Sequence, residues 1–322
     1  MKQFLIIQTA FLGDVILCTP LISELNRIYP NAKIDIVVRK GNEYLLKNNP
    51  KINQVYIWEK KKVKYKSLIS VIKLVRKNKY TEVINLQRFT SSGLICLFSK
   101  SNFKIGFDKN AMGFMYGKRI KHDMNNGEHE VSRNLKTIAH HGAKSLIRPE
   151  LFPSEEDYAN VEKFKNKKYF CLAPASVWET KKLPFNKWVE LIKLLNKKGQ
   201  VYLIGGPDDI KLCNNILEKL DKTPVILAGK LSLLESAALM KDAKMNYVND
   251  SGPLHLASAM NAPTRAFFCS TVERFGFGPL AEDSKVLDVN YDLYCRPCGI
   301  HGFKVCPEGH FKCGNDIELN ID

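Results

Sequence analysis

The sequence predicts an α/β protein built from two Rossmann-like domains, and three observations support this prediction. Short β-rich runs alternate with stretches of helical period along the chain, which is typical of parallel sheets covered by helices. At 322 residues, the chain is longer than most chains that fold around a single hydrophobic core. The alternation stops in a polar, turn-prone region and then resumes. We therefore expect two domains, residues 1–155 and 156–322, facing each other across a ligand-binding cleft.

Nine strands are predicted, four before the polar region and five after it. In the first half they are residues 4–8, 33–38, 54–58 and 82–86. In the second half they are residues 169–174, 201–206, 224–229, 245–250 and 264–268. The alternation is interrupted over residues 108–165, and the linker is expected near residues 150–160.

One acidic residue, Asp14, follows the first predicted strand within the stretch TAFLGDVILCTP. Its carboxylate could cap a helix by accepting free backbone N–H groups. It could instead face the crevice at the carboxyl end of the strand, where α/β sheets bind ligands. Thr19 and Pro20 have the residue types of an N-cap and a first helical position. We therefore expect the main helix to begin there and Asp14 to lie in a preceding turn.

The excess positive charge is confined to the first half of the chain. Residues 1–150 contain 27 Lys and Arg against 11 Asp and Glu, whereas residues 151–322 contain 22 of each. The densest part, residues 60–79, has nine cations and no acid. Such a run can be a solvated helix face. A basic half joined to a neutral half nevertheless favours an anionic partner, which could be a phosphorylated glycolipid, a membrane surface or nucleic acid.

The composition is that of a globular protein, with 45% hydrophobic and 25% charged residues. No window approaches the roughly 18 uninterrupted apolar residues of a membrane span. The N-terminal apolar run FLII is too short for the core of a signal peptide. We therefore expect a cytoplasmic protein, in which the nine cysteines are thiols or metal ligands and not a disulfide framework.

The stretch VNDSGPLHLASAM, residues 248–260, has the parts of an anion-binding site. A strand end, a tight turn and a first helical proline are expected at Asp250, Ser251, Gly252 and Pro253. Backbone N–H groups at the start of such a helix favour a bound phosphate, to which His255 could donate from one turn inside. An ordinary helix entry and a satisfied, partly buried histidine are the alternatives. No GxGxxG motif follows any predicted strand, so the chain has no dinucleotide fingerprint.

Three motifs carry a resemblance to a known family. They are FLGDVILCTP near the N-terminus, KKLPFNKW at residues 181–188 and NDSGPLHLASAMNAPTRAFF at residues 249–268. Together and in this order they resemble the ADP-heptose:lipopolysaccharide heptosyltransferases, glycosyltransferase family nine. The resemblance implies a GT-B fold, an acceptor-binding N-terminal domain and a C-terminal domain that binds the nucleotide sugar. It also implies a reaction that needs neither a catalytic metal nor a cofactor.

The resemblance assigns roles to individual residues. Asp14 matches the family's catalytic base, which takes the proton from the acceptor hydroxyl, and Lys181 matches the lysine that meets the donor diphosphate. The residues that match the donor-binding helix start are Asp250, Ser251, Gly252, Pro253 and His255. The sequence departs from the family at Ala10 and Phe11, where some members carry hydroxyl residues, and at Leu183, where an aromatic residue is usual. Acceptor and donor contacts are therefore expected to differ at these positions.

The functional hypothesis is an inverting transferase that moves a heptose from ADP-heptose to the lipopolysaccharide inner core, as a peripheral protein at the inner membrane. Arg88, Arg133 and the segment 60–79 are candidate contacts to this anionic acceptor. A related transferase with another nucleotide sugar or acceptor is the first alternative. An epimerase or hydrolase of the same fold and a nucleic-acid-binding protein are alternatives from other classes. No nucleic-acid reading module is recognisable, so nucleic acid is not an expected partner.

The stretch CRPCGIHGFKVCPEGHFKC, residues 295–313, concentrates four cysteines and two histidines. Cys295, Cys298, Cys306 and Cys313 have the ligand type and loop sizes of a structural zinc site. The second pair is more widely spaced than CxxC, so a thiol cluster and disulfides stay open as alternatives. The other cysteines lie in apolar stretches and are expected to be buried: Cys18, Cys96, Cys171, Cys213 and Cys269.

Overall fold

The structure is a computed structural model that describes residues 1–221 and 224–319. The predicted second domain, residues 156–322, thus includes residues 222–223 and 320–322, which lie outside the described part. The chain divides into two compact units, each with one six-stranded parallel sheet. Unit 1 consists of Met1–Met124 and Glu128–Phe152, and unit 2 consists of Asn125–Gly127 and Pro153–Asp322. The prediction of an α/β protein with two Rossmann-like units is confirmed.

Unit 1 alternates strands and helices. Its strands are β1 (Gln3–Ile7), β2 (Lys33–Arg39), β3 (Gln54–Trp58), β4 (Lys79–Asn85), β5 (Lys100–Phe107) and β6 (Lys118–Ile120). Its helices are α1 (Leu12–Ile28), α2 (Lys64–Val75), α3 (Thr90–Phe98) and α4 (Glu130–Lys136), with short 3-10 helices at Glu43–Leu46, Gly113–Met115 and Ala139–His141. The parallel strands lie in the order β3-β2-β1-β4-β5-β6. This is the Rossmann order, and its topological switch point lies between β1 and β4.

Unit 2 repeats this topology. Its strands are β7 (Tyr169–Ala173), β8 (Gln200–Leu203), β9 (Val225–Ile226), β10 (Met245–Asn249), β11 (Thr264–Phe267) and β12 (Ser284–Leu287). Its helices are α5 (Glu155–Glu162), α6 (Phe185–Leu195), α7 (Ile210–Leu217), α8 (Leu233–Lys241), α9 (Gly252–Ala259) and α10 (Lys312–Asn315), with 3-10 helices at Glu179–Lys181, Pro207–Asp209 and Glu273–Phe275. The strand order is β12-β11-β10-β7-β8-β9, so the switch point lies between β7 and β10.

The cores follow from the sequence of the strands. β1 reads as a continuous apolar run, and its residues Phe4, Leu5, Ile6 and Ile7 are fully buried. This is expected of a central parallel strand that is covered on both faces. In unit 2, Trp188 of α6 packs edge-on against Phe267 of β11, with ring centroids 5.4 Å apart. Such aromatic pairs fix how a helix lies on its sheet.

The helix after β1 begins earlier than predicted. α1 starts at Leu12 and contains Pro20, so the expectation that Thr19 and Pro20 open the helix is wrong. Proline cannot donate the N–H that would bond to the Ile16 carbonyl one turn earlier. The Thr19 hydroxyl donates to that carbonyl at 2.8 Å and satisfies it in place of the missing N–H. Asp14 consequently lies inside the first turn of α1 and not in a turn before it.

Three strands and three helices, α4, α5 and α10, were not predicted from the sequence. β5, β6 and β12 are mixed in polarity, and β6 and β12 lie at the edges of their sheets. α4 falls in the polar region 108–165, and its buried residues include Glu130, Arg133 and Asn134. A helix that buries polar side chains shows little apolar periodicity, which explains why the pattern did not reveal it. None of the described helices is both long enough and apolar enough to cross a membrane.

Candidate active site

The first candidate site lies where β1 leads into α1, at the switch point of unit 1. Asp14 is the third residue of α1, and its Oδ2 accepts the backbone N–H of Phe11 at 3.1 Å. A carboxylate that reaches back from the third helical position to the N-cap residue is one half of a capping box. The capping interpretation of Asp14 is therefore confirmed. It does not exclude catalysis, because an ionised carboxylate has about four lone-pair positions and can accept a further proton.

The electrostatic surroundings of Asp14 make it a stronger base than an ordinary aspartate. Burial raises the pKa of Asp14 to about 6, and the Glu130 carboxylate acts in the same direction. The backbone N–H groups of the helix start and the Arg39 guanidinium oppose this shift. A carboxyl group with a pKa near 6 is mostly ionised at pH 7 and still has appreciable proton affinity.

Glu130 is itself held by a buried ion pair. The Arg133 Nε donates to Glu130 Oε2 at 2.7 Å, and His122 Nε2 lies 3.1 Å from the same oxygen. Burial alone would raise the pKa of Glu130. The hydrogen bonds and charges of His122 and Arg133 outweigh burial and hold that pKa below its usual range. Glu130 thus supplies a fixed negative charge near Asp14.

Arg133 does not lie on the surface, where a contact to an anionic acceptor was predicted. Its side chain is fully buried, and its Nη1 donates to the backbone carbonyls of Asp123 and Glu128 in addition to the pair with Glu130. An arginine that is bound in this way fixes the position of α4. Arg133 therefore positions Glu130 and α4 near Asp14 and does not contact a ligand itself.

Two cations of unit 1 lie against exposed aromatic rings at the carboxyl ends of the strands. Arg39 ends β2, and its guanidinium lies 4.7 Å from the centre of the Phe11 ring. Arg88 follows β4, and its guanidinium lies 5.2 Å from the centre of the Phe89 ring. Phe11 is 60% exposed and Phe89 is 51% exposed. Cation and ring together present a charged and apolar surface to a ligand.

Lys60 adds a third cation just after β3. Its Nζ donates to the Thr9 carbonyl at 2.6 Å and lies 4.6 Å from the centre of a Trp58 ring. Burial lowers the pKa of Lys60 to about 8, with help from the charges of Arg39 and Lys64. The ammonium is thus still mostly protonated at pH 7 and is close to the β1–α1 loop.

The second candidate site lies where β10 leads into α9, at the switch point of unit 2. Asp250 follows the last residue of β10, Ser251 is the N-cap of α9, and Pro253 lies in the first turn. Lys181 Nζ forms an ion pair with Asp250 Oδ2 at 2.6 Å, and the Thr271 hydroxyl donates to the same oxygen at 2.7 Å. The structure thus brings Lys181 and the helix start together.

Asn249 fixes this arrangement. Its Oδ1 accepts the backbone N–H of Leu183 at 2.9 Å, and its Nδ2 donates to the Pro174 carbonyl at 2.9 Å. One buried amide therefore joins the end of β10 to the loop after β7 and to the segment that carries Lys181. Neither Asn249 nor Thr271 was predicted from the sequence to belong to the site. Both lie at or just past the carboxyl end of a strand, and that position was the available signal.

Ser251 and His255 occupy different environments in α9. The Ser251 side chain is partly exposed at the helix start, where its hydroxyl lies 3.4 Å from the Asn249 carbonyl. His255 is buried, and its ring lies edge-on to Phe277 with centroids 6.4 Å apart. A phosphate at the helix start can meet Gly252 and Ser251 directly. The predicted contact of His255 with phosphate stays a prediction.

The four cysteines of the C-terminal tail are the predicted ligands of a structural zinc ion. Over residues 1–221 and 224–319, a single group of at least three His, Cys, Asp or Glu ligand atoms lies within 4.8 Å of one another, and it contains no cysteine. Cys295 Sγ lies 4.0 Å from His310 Nε2, and the predicted zinc set of Cys295, Cys298, Cys306 and Cys313 stays a prediction. All nine cysteines are free thiols, and the five that were expected to be buried are buried.

The tail instead packs on the segment that carries Lys181. The Phe303 N–H donates to the Thr180 hydroxyl at 2.7 Å, and the Cys298 N–H donates to the Ser270 carbonyl at 2.9 Å. Gly302 lies so close to this segment that an added Cβ would come within 2.8 Å of the Thr180 and Ser270 hydroxyl oxygens. The tail therefore supports the second candidate site through backbone contacts.

Comparisons with known proteins find relatives in both sequence and structure. A sequence model described as glycosyltransferase family 9 (heptosyltransferase) matches residues 68–302. A lipopolysaccharide heptosyltransferase 3 of Escherichia coli is 30% identical over 281 residues, which cover 81% of this chain and 82% of that protein. A family 9 glycosyltransferase structure from Veillonella parvula superposes with a TM-score of 0.81 at 21% identity, over 89% of this chain and 85% of that one. An Escherichia coli ADP-heptose lipopolysaccharide heptosyltransferase II superposes with a TM-score of 0.77 at 23% identity, over 98% of both chains.

Proposed function

The chain belongs to glycosyltransferase family 9, and from this premise we propose that it transfers a heptose from ADP-heptose to the inner core of lipopolysaccharide. The observation that carries the proposal is the family match over residues 68–302, which contains the Lys181–Asp250 ion pair and the start of α9. The Escherichia coli relative named above is a lipopolysaccharide heptosyltransferase, and the superposed Escherichia coli structure is that of an ADP-heptose enzyme. The predicted GT-B fold is the fold of these relatives.

Unit 2 binds the donor in this proposal. The diphosphate of ADP-heptose lies at the start of α9, where Ser251 and Gly252 offer backbone N–H groups at the positive end of the helix dipole. Lys181 is held beside this position by Asp250, and its ammonium gains the diphosphate as a further anionic partner. A fixed positive charge there stabilises the negative charge that grows on departing ADP. Pro253 and His255 shape the first turn of the helix.

Unit 1 supplies the base and binds the acceptor. The Asp14 carboxylate takes the proton of one acceptor hydroxyl while the hydroxyl oxygen forms a bond to the anomeric carbon of heptose. The bond between that carbon and the diphosphate oxygen breaks, and its electron pair leaves with ADP. One in-line displacement of this kind inverts the configuration at the anomeric carbon. The raised pKa of Asp14 suits general-base catalysis near neutral pH.

The cations around the β1–α1 loop contact the anionic groups of the acceptor. Arg39, Lys60 and Arg88 lie at the carboxyl ends of β2, β3 and β4, which meet at one edge of the sheet. Phosphate and carboxylate groups on an inner core offer them charged partners. This replaces the predicted pair of Arg88 and Arg133 with a set of accessible cations, because Arg133 is buried.

Helix α2 attaches the protein to the cytoplasmic face of the inner membrane. Its inner face packs on the core, and its outer face exposes Tyr65 and Ile69 beside lysines. An amphipathic helix with cations beside apolar side chains binds the surface of anionic bilayers. We expect Ile69→Asp to weaken sedimentation with vesicles of anionic phospholipid, whereas Leu194→Asp on α6 leaves it unchanged. Equal sedimentation of both variants would contradict this assignment.

The transfer needs no catalytic metal in this proposal, because Lys181 and the start of α9 supply the positive charge that the leaving diphosphate requires. Turnover at a temperature well below unfolding should then be the same with and without EDTA. A loss of turnover in EDTA that Mg²⁺ restores would contradict it.

Binding of nucleotide sugars to the purified chain tests the donor assignment. A ligand that binds only the folded state stabilises it by about 2.7 kcal/mol at 100 times its dissociation constant. We expect ADP-heptose to raise the melting temperature and UDP- and GDP-sugars to leave it nearly unchanged. Lys181→Ala should remove most of the rise. Lys182→Ala, whose ammonium pairs with exposed Glu179, is the matched control and should retain it. Stabilisation by UDP- or GDP-sugars alone would overturn the donor assignment.

A further inference from the structure

A cluster of Glu82, His140 and His141 in unit 1 has no part in the transfer chemistry. Glu82 lies on β4, and the two histidines are consecutive residues of the 3-10 helix Ala139–His141. His140 Nε2 lies 3.1 Å from Glu82 Oε2, and His141 Nε2 lies 2.9 Å from the same oxygen. In the described part of the chain this is the one group of three or more potential metal ligands within 4.8 Å.

The carboxylate of this cluster has an oxygen without a hydrogen-bond partner among the described residues. Glu82 is only 3% exposed, and its Oε1 is buried without a hydrogen-bond partner. A buried polar atom without a partner is costly, and a carboxylate oxygen more so than a neutral one. A cation held by both carboxylate oxygens would satisfy Oε1 as well as Oε2. The unsatisfied oxygen is thus a second observation, beside the histidines that converge on Oε2, that points to a bound cation.

The two imidazole rings are held in place by aromatic neighbours. The Tyr29 hydroxyl lies 3.0 Å from His141 Nδ1, on the opposite side of the ring from Glu82. The His141 ring also lies edge-on to Phe4, and the His140 ring edge-on to Phe103. A hydrogen bond to the far nitrogen is the usual outer contact of a metal-bound histidine, because it fixes the orientation and tautomer of the ring.

Two ligand-to-ligand distances, both to Glu82 Oε2, are close to those of a tetrahedral metal centre, and all three ligand atoms lie within 4.8 Å of one another. Four ligands at 2.0–2.1 Å from zinc lie about 3.3–3.4 Å from one another. The two nitrogen–oxygen distances of 3.1 and 2.9 Å need to open by only a few tenths of an ångström to admit the ion. Two histidines and one glutamate form a ligand set that zinc takes in proteins. Water can reach the fourth position from the side of His140, which is partly exposed.

We propose that Glu82, His140 and His141 bind a divalent transition-metal ion, with zinc as the ion that the ligand set suits best. The ion has a structural role. Glu82 lies within β4, three residues before its carboxyl end, whereas the ligands of a Rossmann sheet bind beyond that end. The metal joins β4 to the turn that follows α4, and Tyr29 connects this centre to the end of α1.

Metal titration of the metal-free full-length chain tests the proposal, with Zn²⁺ and Co²⁺ as probes. We expect one ion to bind, to raise the melting temperature and, for Co²⁺, to give a visible spectrum without the sulfur-to-cobalt charge-transfer band of thiolate ligands. His140→Ala removes a partly exposed ligand and should weaken binding more than the 10- to 100-fold typical of losing an outer contact. Tyr29→Phe keeps the ring that packs on Phe4, removes only the hydroxyl, and should weaken binding by about 10- to 100-fold.

Cys298→Ser is the control, because it alters the cysteine tail and leaves the cluster intact, so it should bind metal as the unmodified chain does. Circular dichroism of each metal-free variant should match that of the metal-free unmodified chain, so that weaker metal binding is not attributed to unfolding. Binding that survives in His140→Ala and disappears in Cys298→Ser would assign the metal to the tail and overturn the proposal. Failure of the unmodified chain to bind either ion would overturn it as well.

Discussion

Lowering the pH through 6 tests the role of Asp14 as base. Burial and the neighbouring Glu130 carboxylate raise its pKa to about 6, and the base works only in its ionised form. For a pKa of 6, the ionised fraction is about 0.9 at pH 7 and about 0.1 at pH 5. An ordinary aspartate, with a pKa of about 3.9, would still be about 0.9 ionised at pH 5. We therefore expect kcat to fall nearly tenfold between pH 7 and pH 5.

The assay is heptose transfer with donor and acceptor both saturating, because phosphates on the acceptor also titrate near pH 6 and would distort kcat/KM. A kcat that stays level down to pH 5 would contradict the assignment of Asp14 as base. Asp14→Asn should lower kcat by about 10²- to 10⁴-fold, the range that general-base catalysis contributes.

The same variant should make the folded chain more stable at neutral pH. A carboxyl group whose pKa is raised by folding stabilises the folded state below its unfolded pKa of about 4, and this contribution is lost as the pH rises through 6. At pH 7.5, ionised Asp14 therefore costs up to about 3 kcal/mol, since each pKa unit corresponds to about 1.36 kcal/mol. Asp14→Asn relieves this cost, and its amide oxygen can still accept the Phe11 N–H.

Asp157→Asn is the matched control, because Asp157 makes the same capping contact from the third position of α5. We expect it to lose up to about 1 kcal/mol of stability and no activity. If Asp14→Asn also lost stability and kept its transfer activity, Asp14 would serve only as a helix cap.

Three further predictions concern the acceptor, the tail and its packing. Arg88→Ala should raise the KM for the acceptor and not for ADP-heptose. Added salt should have the same effect on the unmodified chain, because salt screens exposed charges. Equal changes in the KM of both substrates would exclude this contact. Cys298→Ser and Cys313→Ser should leave bound zinc unchanged, because the ligands that lie within 4.8 Å of one another are Glu82, His140 and His141. Loss of about one zinc per chain by elemental analysis would instead assign the metal to the tail. Gly302→Ala should lower the free energy of unfolding by about 1–3 kcal/mol, because the φ of +74° and the close approach to Thr180 both disfavour a side chain at this position. An unchanged melting temperature would contradict this.

The sequence was sufficient to predict the two Rossmann-like units because the central strands are buried on both faces and therefore read as apolar runs. The run FLII of β1 is the clearest example. β6 and β12 escaped prediction because they have only three and four residues and mix charged with apolar side chains. The start of α1 was wrong because Pro20 is a strong helix-start signal, and only the structure shows that the Thr19 hydroxyl satisfies the carbonyl that proline leaves.

The candidate site was predictable only in part. Asp14 and Asp250 stand out in the sequence because each follows a strand, and Arg39 and Thr271 follow strands in the same way but were overlooked. The burial of Arg133 could not be foreseen, since arginine is mostly exposed unless it is paired. Its partner Glu130 lies only three residues earlier in α4, but an i,i+3 pair is ordinarily a surface feature, and it is the packing of α4 against α1 that buries this one.

The metal-ligand cluster lies beyond what a single sequence can show. Glu82 precedes His140 by 58 residues, and the chain between them contains α3, β5, a 3-10 helix, β6 and α4. Neither residue belongs to a motif with ligand spacing. Only the pairing of β4 with its neighbours and the turn at Ala139–His141 bring the three side chains together.

The most direct test of the proposed activity is incubation with ADP-heptose and purified lipopolysaccharide that lacks inner-core heptose. Mass spectrometry of the lipopolysaccharide should show the addition of one heptose, NMR should show inverted configuration at its anomeric carbon, and Asp14→Asn should yield almost none of this product. Consumption of ADP-heptose to free sugar, or no transfer to any heptose-deficient lipopolysaccharide under conditions in which the donor binds, would contradict the proposed function.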